Sequence, residues 1–401
     1  EKGTVTISGN ASFSGNTAIG NGGVIYSEKG TVTISGNASF SGNTATGNGG
    51  VIYNDEYGEV TISDNVSFTD NKATNGGVIC SWDGTVNISG GTFGGTADGE
   101  GNTATGFGGV IYNDCYNADS TVTITDGDFI KNSAPNGGVI YNGDSQGSKI
   151  IAISGNASFS GNTATSNGGV IYNDEYGEVT ISDGTFGGTG TSDGNSASYG
   201  GVIYNNGEKV DIVGSAEFCG NSATFGGVIY NKQGTLLISH PDSYDTSPSF
   251  TNNTATGSGG VIYDSVYQGY TGKVIIRGAF FTGNKATNNG GVIYVYDEQG
   301  SEAVYIIDGA YSGNTAANGG VLYNAKGITT ISYVSCTNNS ATNGGVIYNK
   351  STSADAVKIK GGLFGGEDAG NSATNGGVIY SAAGTITISG GTFANNKAEN
   401  T

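Results

Sequence analysis

Apolar residues recur along this chain in short bursts broken by polar ones. Three bursts make one unit: Gly-Gly-Val-Ile-Tyr, then a Val-x-Ile alternation such as Val32 and Ile34, then an aromatic residue leading to an asparagine, as in Phe40-Ser41-Gly42-Asn43. Alternation with a period of two, bounded by Gly, Asn, Asp and Ser, marks strands joined by turns. No run places apolar residues at i, i+3, i+4 and i+7, and each glycine inside a helix would cost about 1 kcal/mol. Gly-Gly-Val occurs thirteen times, with its valines at Val24, Val51, Val78, Val110, Val139, Val170, Val202, Val228, Val261, Val292, Val321, Val346 and Val378, so the spacing runs from 25 to 33 residues. A period that varies in this way fits a solenoid whose loops absorb insertions. The pattern predicts an all-β chain, a right-handed parallel β-helix of about 13 coils of 25–33 residues, continuous over residues 1–401 as a single domain.

Residues 1–18 return at 28–45, and the stretch IYNDEYGEVTISD at 52–64 returns at 171–183. In a β-helix each coil pairs with its neighbours about 4.8 Å away, so equivalent side chains stack in columns and each copy is a template for the next. One predicted interior column is Ile25, Ile52, Ile79, Ile111, Ile140, Ile171, Ile203, Ile229, Ile262, Ile293, Leu322, Ile347 and Ile379. A second is aromatic, from Phe13 and Phe40 to Phe364 and Phe393, with Tyr311 and Cys336 as its variants. A third lies three residues after the aromatic, with Asn16, Asn43, Asn71, Asn132, Asn162, Asn221 and Asn284. Stacked asparagine amides are expected to hydrogen-bond from coil to coil at a tight turn.

Tyrosine follows the isoleucine in twelve of the thirteen units: Tyr26, Tyr53, Tyr112, Tyr141, Tyr172, Tyr204, Tyr230, Tyr263, Tyr294, Tyr323, Tyr348 and Tyr380, with Cys80 in the remaining place. Strand alternation sets Val and Tyr on the face opposite Ile. With Ile inside, Val and Tyr form an outward ladder; with the face reversed, the column is packing alone. An exposed stripe of that length exceeds the apolar patch usual on a soluble monomer. The twelve tyrosines are therefore the candidate binding residues, for lateral self-association, a cell-surface glycan or another surface protein.

Composition narrows the classes. Among 401 residues there are 75 glycines and 3 prolines, a repetitive rather than a globular usage. The formal charge is -19 and Arg277 is the sole arginine, which sets the chain against nucleic acid and other polyanions. No stretch reaches the roughly 18–20 consecutive apolar residues of a membrane helix, so no membrane insertion by this segment is expected. No basic-then-apolar leader opens the chain and methionine is missing, so it reads as a piece of a longer secreted polypeptide, extracellular or at the cell surface. It starts in the turn before a Val-x-Ile strand and stops just after Asn396, where another Gly-Gly is due. The expectation is a rod continued by neighbouring sequence, or copies stacked head to tail as a filament. Cys80, Cys115, Cys219 and Cys336 show no CxxC spacing and read as free thiols.

Parallel β-helices also carry polysaccharide lyases and hydrolases, so catalytic candidates need weighing. His240 is the sole histidine and sits in the longest insertion, SHPDSYDTSPSF, with no fixed Ser or Cys partner. The carboxylate pairs Asp55 with Glu56 and Asp174 with Glu175 lie in a turn copied between repeats, whereas a catalytic pair is ordinarily unique. Three insertions carry Asp98, Glu100, Asp193, Glu367 and Asp368, oxygens suited to calcium but without β-roll spacing. Thr4 and Thr6, Thr31 and Thr33, Thr121 and Thr123, and Thr385 and Thr387 suggest an ice-binding array, broken at Lys209, Asp211, Lys273 and Ile275. Asn10, Asn37, Asn65 and Asn156 open Asn-x-Ser sequons at one turn column and are candidate glycosylation sites. The balance is a non-enzymatic structural or adhesive rod with no required cofactor.

The pairing of Gly22-Gly23-Val24-Ile25 with Phe13-Ser14-Gly15-Asn16, repeated over the whole chain, resembles the GGA(I/L/V) and FxxN repeats of the chlamydial polymorphic outer-membrane proteins and of adhesin-like surface proteins. Valine stands where that family usually has alanine, and no autotransporter barrel is expected within residues 1–401. The resemblance implies a β-helical adhesin attached to a cell surface.

Overall fold

The computed structural model of the protein describes residues 3–116, 119–143, 147–190, 192–240, 247–267, 269, 272–298 and 302–399, the side chains of 302 and 303 excepted. All its regular elements are strands, and those strands pair in parallel, coil upon coil, in a β-solenoid of about 13 turns. The chain divides into two compact units, Glu1–Glu208 and Lys209–Thr401, built to the same plan.

Each coil has three faces. One carries the Val-x-Ile piece and the aromatic piece side by side, and these fuse into single long strands at Glu59–Thr69, Thr85–Gly94 and Ser120–Ile130. The second carries the Ile-Tyr piece, as in Ile52–Asp55. The third is a short Thr-Ala strand directly after the asparagine, which the sequence pattern does not single out. Its alanines form a small-residue column in register, Ala18 on Ala45 and Ala134 on Ala164 in the first unit, Ala223 on Ala255 in the second. Ala45, Ala134 and Ala164 are buried.

Like does sit upon like. Ile25, Ile52, Ile79, Ile111, Ile140, Ile171 and Ile203 stand in register through the first unit. Ile229, Ile262, Ile293, Leu322, Ile347 and Ile379 do so in the second. Phe13, Phe40, Phe68, Phe93, Phe129, Phe159 and Phe186 stack with ring centroids 4.7–4.9 Å apart and planes within 11°. That spacing equals the distance between strands, so the backbone register alone brings the rings into contact. Burying each such side chain contributes about 1.5–3 kcal/mol before conformational entropy is subtracted.

The Gly-Gly pair is a steric requirement. Gly49 holds φ +68, and a Cβ there would stand 2.1 Å from the carbonyl oxygen of Ile52. A Cβ on Gly50 would stand 2.1 Å from the carbonyl oxygen of Gly77 on the next coil. The first glycine makes the corner and the second lets adjacent coils close at that corner.

Asparagine supplies the polar interior. In the first unit the ladder runs Asn16, Asn43, Asn71, Asn102, Asn132, Asn162 and Asn195. Asn71 shows the full pattern. Its Oδ1 accepts from the backbone N (3.1 Å) and Nδ2 (3.0 Å) of Asn43, and its Nδ2 donates to Asn102 Oδ1 (2.9 Å) and to the Phe40 carbonyl (3.0 Å). The amide is fully buried with every hydrogen-bonding site used, which makes an interior asparagine tolerable. The insertion at 94–102 widens the interval from aromatic to asparagine, yet Asn102 returns to the column. Asn221, Asn253, Asn284, Asn314, Asn339, Asn371 and Asn396 repeat the ladder in the second unit.

Candidate functional site

The tyrosine column is the leading candidate for an exposed binding stripe, and its geometry corrects that expectation in two ways. First, Val and Ile do not lie on opposite faces. The Val78 carbonyl accepts from both Val51 N (3.0 Å) and Ile52 N (2.9 Å), so the corner inserts one residue into the alternation and both side chains turn inward. Val51 and Ile52 are each 0% exposed. Tyrosine alone remains on the outer side.

Second, the tyrosine rings cover one another. Centroids lie 4.4–5.5 Å apart in the stacked pairs Tyr26–Tyr53, Tyr112–Tyr141, Tyr141–Tyr172 and Tyr172–Tyr204 of the first unit and in the run Tyr230, Tyr263, Tyr294, Tyr323, Tyr348 and Tyr380 of the second. The column before each Gly-Gly flanks them: Phe107 lies 4.5 Å from Tyr141, and Phe225 meets Tyr263 edge-on at 5.2 Å. Tyr53, Tyr112, Tyr141, Tyr204, Tyr230 and Tyr323 are less than a tenth exposed, Tyr172, Tyr263, Tyr294, Tyr348 and Tyr380 are half-buried, and Tyr26 is 54% exposed. Burial pushes the Tyr323 hydroxyl up to about 12 and raises those of Tyr53 and Tyr263 further. Where Cys80 interrupts the stack, Trp82 packs at 6.2 Å from Tyr112. Burial drives the Cys80 thiol well above its ordinary value, and all four cysteines are unbridged.

A second set of aromatics, open to solvent, lies four residues further on, in the loop after the column. Tyr57, Tyr116, Tyr176 and Tyr267 are 44–71% exposed. The sequence carries a signal for them, the second tyrosine of IYNDEY, IYNDCY and IYDSVY, but the twelve-fold column overshadows it.

The carboxylate pairs act as turn locks. Asp55 Oδ1 accepts from Glu56 N and Asp174 Oδ1 from Glu175 N, each at 3.0 Å. Asp174 Oδ2 accepts from Tyr141 Oη at 2.8 Å and its Oδ1 from Asn206 Nδ2 at 2.7 Å; Glu56 pairs with Lys29. His240 donates its backbone N to the Arg277 carbonyl at 3.2 Å, while 241–246 of its insertion lie outside the described residues. Of the acidic insertion residues, Glu100 caps Ala97 N at 2.9 Å and Asp193 caps Gly190 N at 2.8 Å. No three His, Cys, Asp or Glu side chains converge as a metal site among the described residues.

The threonine rows are interrupted within the first unit. Thr31 stands in register with Glu59, and Thr61 with Asn87. Lys209 and Asp211 in the second unit pair with each other at 2.5 Å. Asn10, Asn37, Asn65 and Asn156 are all exposed, and the first three of the column, Asn10, Asn37 and Asn65, are linked by side-chain hydrogen bonds of 3.1 and 3.3 Å.

No curated protein and no solved structure matches the chain. The Chlamydia polymorphic membrane protein repeat matches at seven places, residues 4–28, 31–55, 65–81, 156–174, 249–265, 278–296 and 333–350, and those stretches are similar to that repeat.

Proposed function

We propose that the chain is part of an adhesin-like structural solenoid displayed outside the cell, which holds a partner without turning over a substrate. The observation that carries this reading is how the repeat's recurring residues are used. Gly-Gly makes corners, Ile and Phe fill the interior, and each ladder asparagine spends its amide on the coils above and below. The differences in length between coils lie in loops, which suits a scaffold that presents varied surface on a constant shaft. The stacked tyrosines stiffen one face, and the loop tyrosines beyond them are the surface that meets a neighbouring cell's glycan or protein. Lateral or head-to-tail self-association belongs to the same proposal.

The test is adhesion. Beads coated with the purified chain should attach to cells, and soluble chain should compete. In parallel, acidic and neutral polysaccharides are incubated with the chain and followed by ultraviolet absorbance and reducing ends. Catalytic release of sugar would overturn the reading, as would coated beads that bind no better than bare ones.

A further inference from the structure

The peptide IYNDEYGEVTISD occurs twice, and its two settings differ. In the second copy, Lys149 Nζ lies 5.8 Å from the centroid of the Tyr176 ring, an internal cation–π contact. The chain repeats that device, with Lys273 over Tyr305 at 5.1 Å and Lys326 over Tyr296 at 5.9 Å. In the first copy, among the described residues, no lysine or arginine lies over Tyr57, the residue equivalent to Tyr176. Instead the next two coils add further aromatic and acidic groups. Asp55, Glu56, Tyr57, Trp82, Asp83 and Tyr116 line one cleft of about 430 Å³. Tyr57 and Tyr116 are 58% and 71% exposed.

The backbone also differs between the copies. Glu56 and Tyr57 both hold left-handed conformations, φ 44 and 66, whereas in the second copy only Tyr176 does, at 61. Asp83, itself left-handed at φ 52 and 5% exposed, accepts from the Tyr116 backbone N at 2.5 Å and so ties the third aromatic to the cleft. Three carboxylates line the cleft, and Lys29 pairs with one of them, Glu56. The three rings share the cleft without stacking on one another, and Trp82 packs against Tyr112 at its edge.

Aromatic faces under net negative charge attract an organic cation, and more strongly as the cation sheds water. We propose that this cleft binds an alkylammonium or quaternary ammonium group. A neutral ligand without hydrogen-bond donors would gain nothing from the carboxylates, and among the described residues a bare metal ion finds no three ligands converging here. Tyr57 and Tyr116 also belong to the loop tyrosines of the adhesive reading, but choline binding is read without cells, so either reading can fail without the other.

Trp82 is the sole tryptophan, so its fluorescence reports on this site alone. The full chain is titrated with choline, with its uncharged isostere 3,3-dimethylbutan-1-ol, and with lactose. Choline is expected to give a saturable change at millimolar concentration that weakens as the salt concentration rises, while the isostere and lactose give none. Tyr57→Ser should weaken choline about five- to tenfold, the loss of one ring face, and Tyr176→Ser should leave it unchanged. Unaltered circular dichroism and unfolding midpoint establish that each variant is folded. A response to the isostere equal to that of choline, or to lactose alone, or choline binding untouched in folded Tyr57→Ser, would overturn the proposal, as would the lack of any saturable change.

Discussion

Replacing Asn132 by alanine should destabilise the first unit far more than loss of a turn residue ordinarily would. Its Oδ1 accepts from Asn102 N and Asn102 Nδ2, both at 3.0 Å, and its Nδ2 donates to the Phe93 carbonyl at 2.8 Å and to Asn162 Oδ1 at 3.0 Å. Asn102 Nδ2 would keep the Phe68 carbonyl at 2.9 Å, and Asn162 Oδ1 would keep Asn132 N at 2.9 Å. What is stranded is the Asn102 backbone N–H, one hydrogen of its amide, and part of the Phe93 carbonyl, all in a fully buried column. At about 1–3 kcal/mol for each of two unmet buried donors, the loss comes to about 2–6 kcal/mol. Asn156→Ala, at an exposed asparagine, is the control and should stay within about 0.5 kcal/mol. Urea unfolding followed by far-ultraviolet circular dichroism gives the change in midpoint, and hydrogen exchange locates it, with the Asn102 amide exchanging fastest relative to the unaltered chain. If Asn132→Ala and Asn156→Ala behaved alike, the buried ladder would be refuted.

Three further outcomes follow from the second unit and the cysteines. Tyr311 stands in the phenylalanine column with its hydroxyl buried and unpartnered, so Tyr311→Phe should stabilise the chain by about 1–2 kcal/mol in the same urea assay; destabilisation would contradict this. Asp264 replaces a column asparagine; burial, with the Asp297 carboxylate adding to it, pushes its carboxyl up to about 7 although Asn231 donates to it at 2.9 Å. Because the folded value exceeds the unfolded one of about 4, the folded state is most favoured below about pH 4 and loses stability as pH rises from about 4 to about 7. Asp264→Asn should therefore raise the unfolding midpoint at about pH 8 and leave it unmoved at about pH 4, the gain being about 1.4 kcal/mol for every tenfold weakening of the acid that folding imposes. With Cys80, Cys115 and Cys336 buried and Cys219 half-buried, a thiol reagent should modify Cys219 alone in the native chain and all four cysteines after unfolding.

Strand identity, coil period and the Ile, Phe and Asn columns are legible because each rests on a backbone rule: period-two alternation, glycine at a corner, and like residues in register. The Thr-Ala face is not, since two small residues carry no hydrophobic period. Placing Val opposite Ile fails for a related reason. Alternation holds along a strand, and the Gly-Gly corner interrupts it through the shared carbonyl of Val78. The shielding of the tyrosines is hidden because a sequence shows which way a side chain points but not that rings 4.4–5.5 Å apart cover each other's faces. The cleft around Trp82 depends on three successive coils converging, and identical peptides at 52–64 and 171–183 differ there only through their neighbours.

Equivalent residues of successive copies are vertical neighbours, and every column described above depends on it. In the first unit Thr6, Thr33, Thr61, Asn87, Thr123, Ala152 and Thr180 stand in unbroken register. Paired spin labels on Thr33 and Thr123, three coils apart, and on Thr6 and Thr180, six coils apart, measure this directly by pulsed electron resonance. At about 4.8 Å per coil the separations should be about 14 Å and about 29 Å, before allowance for the label arms. Distances that fail to double between the two pairs, or that far exceed about 5 Å per coil once the label arms are allowed for, would contradict it.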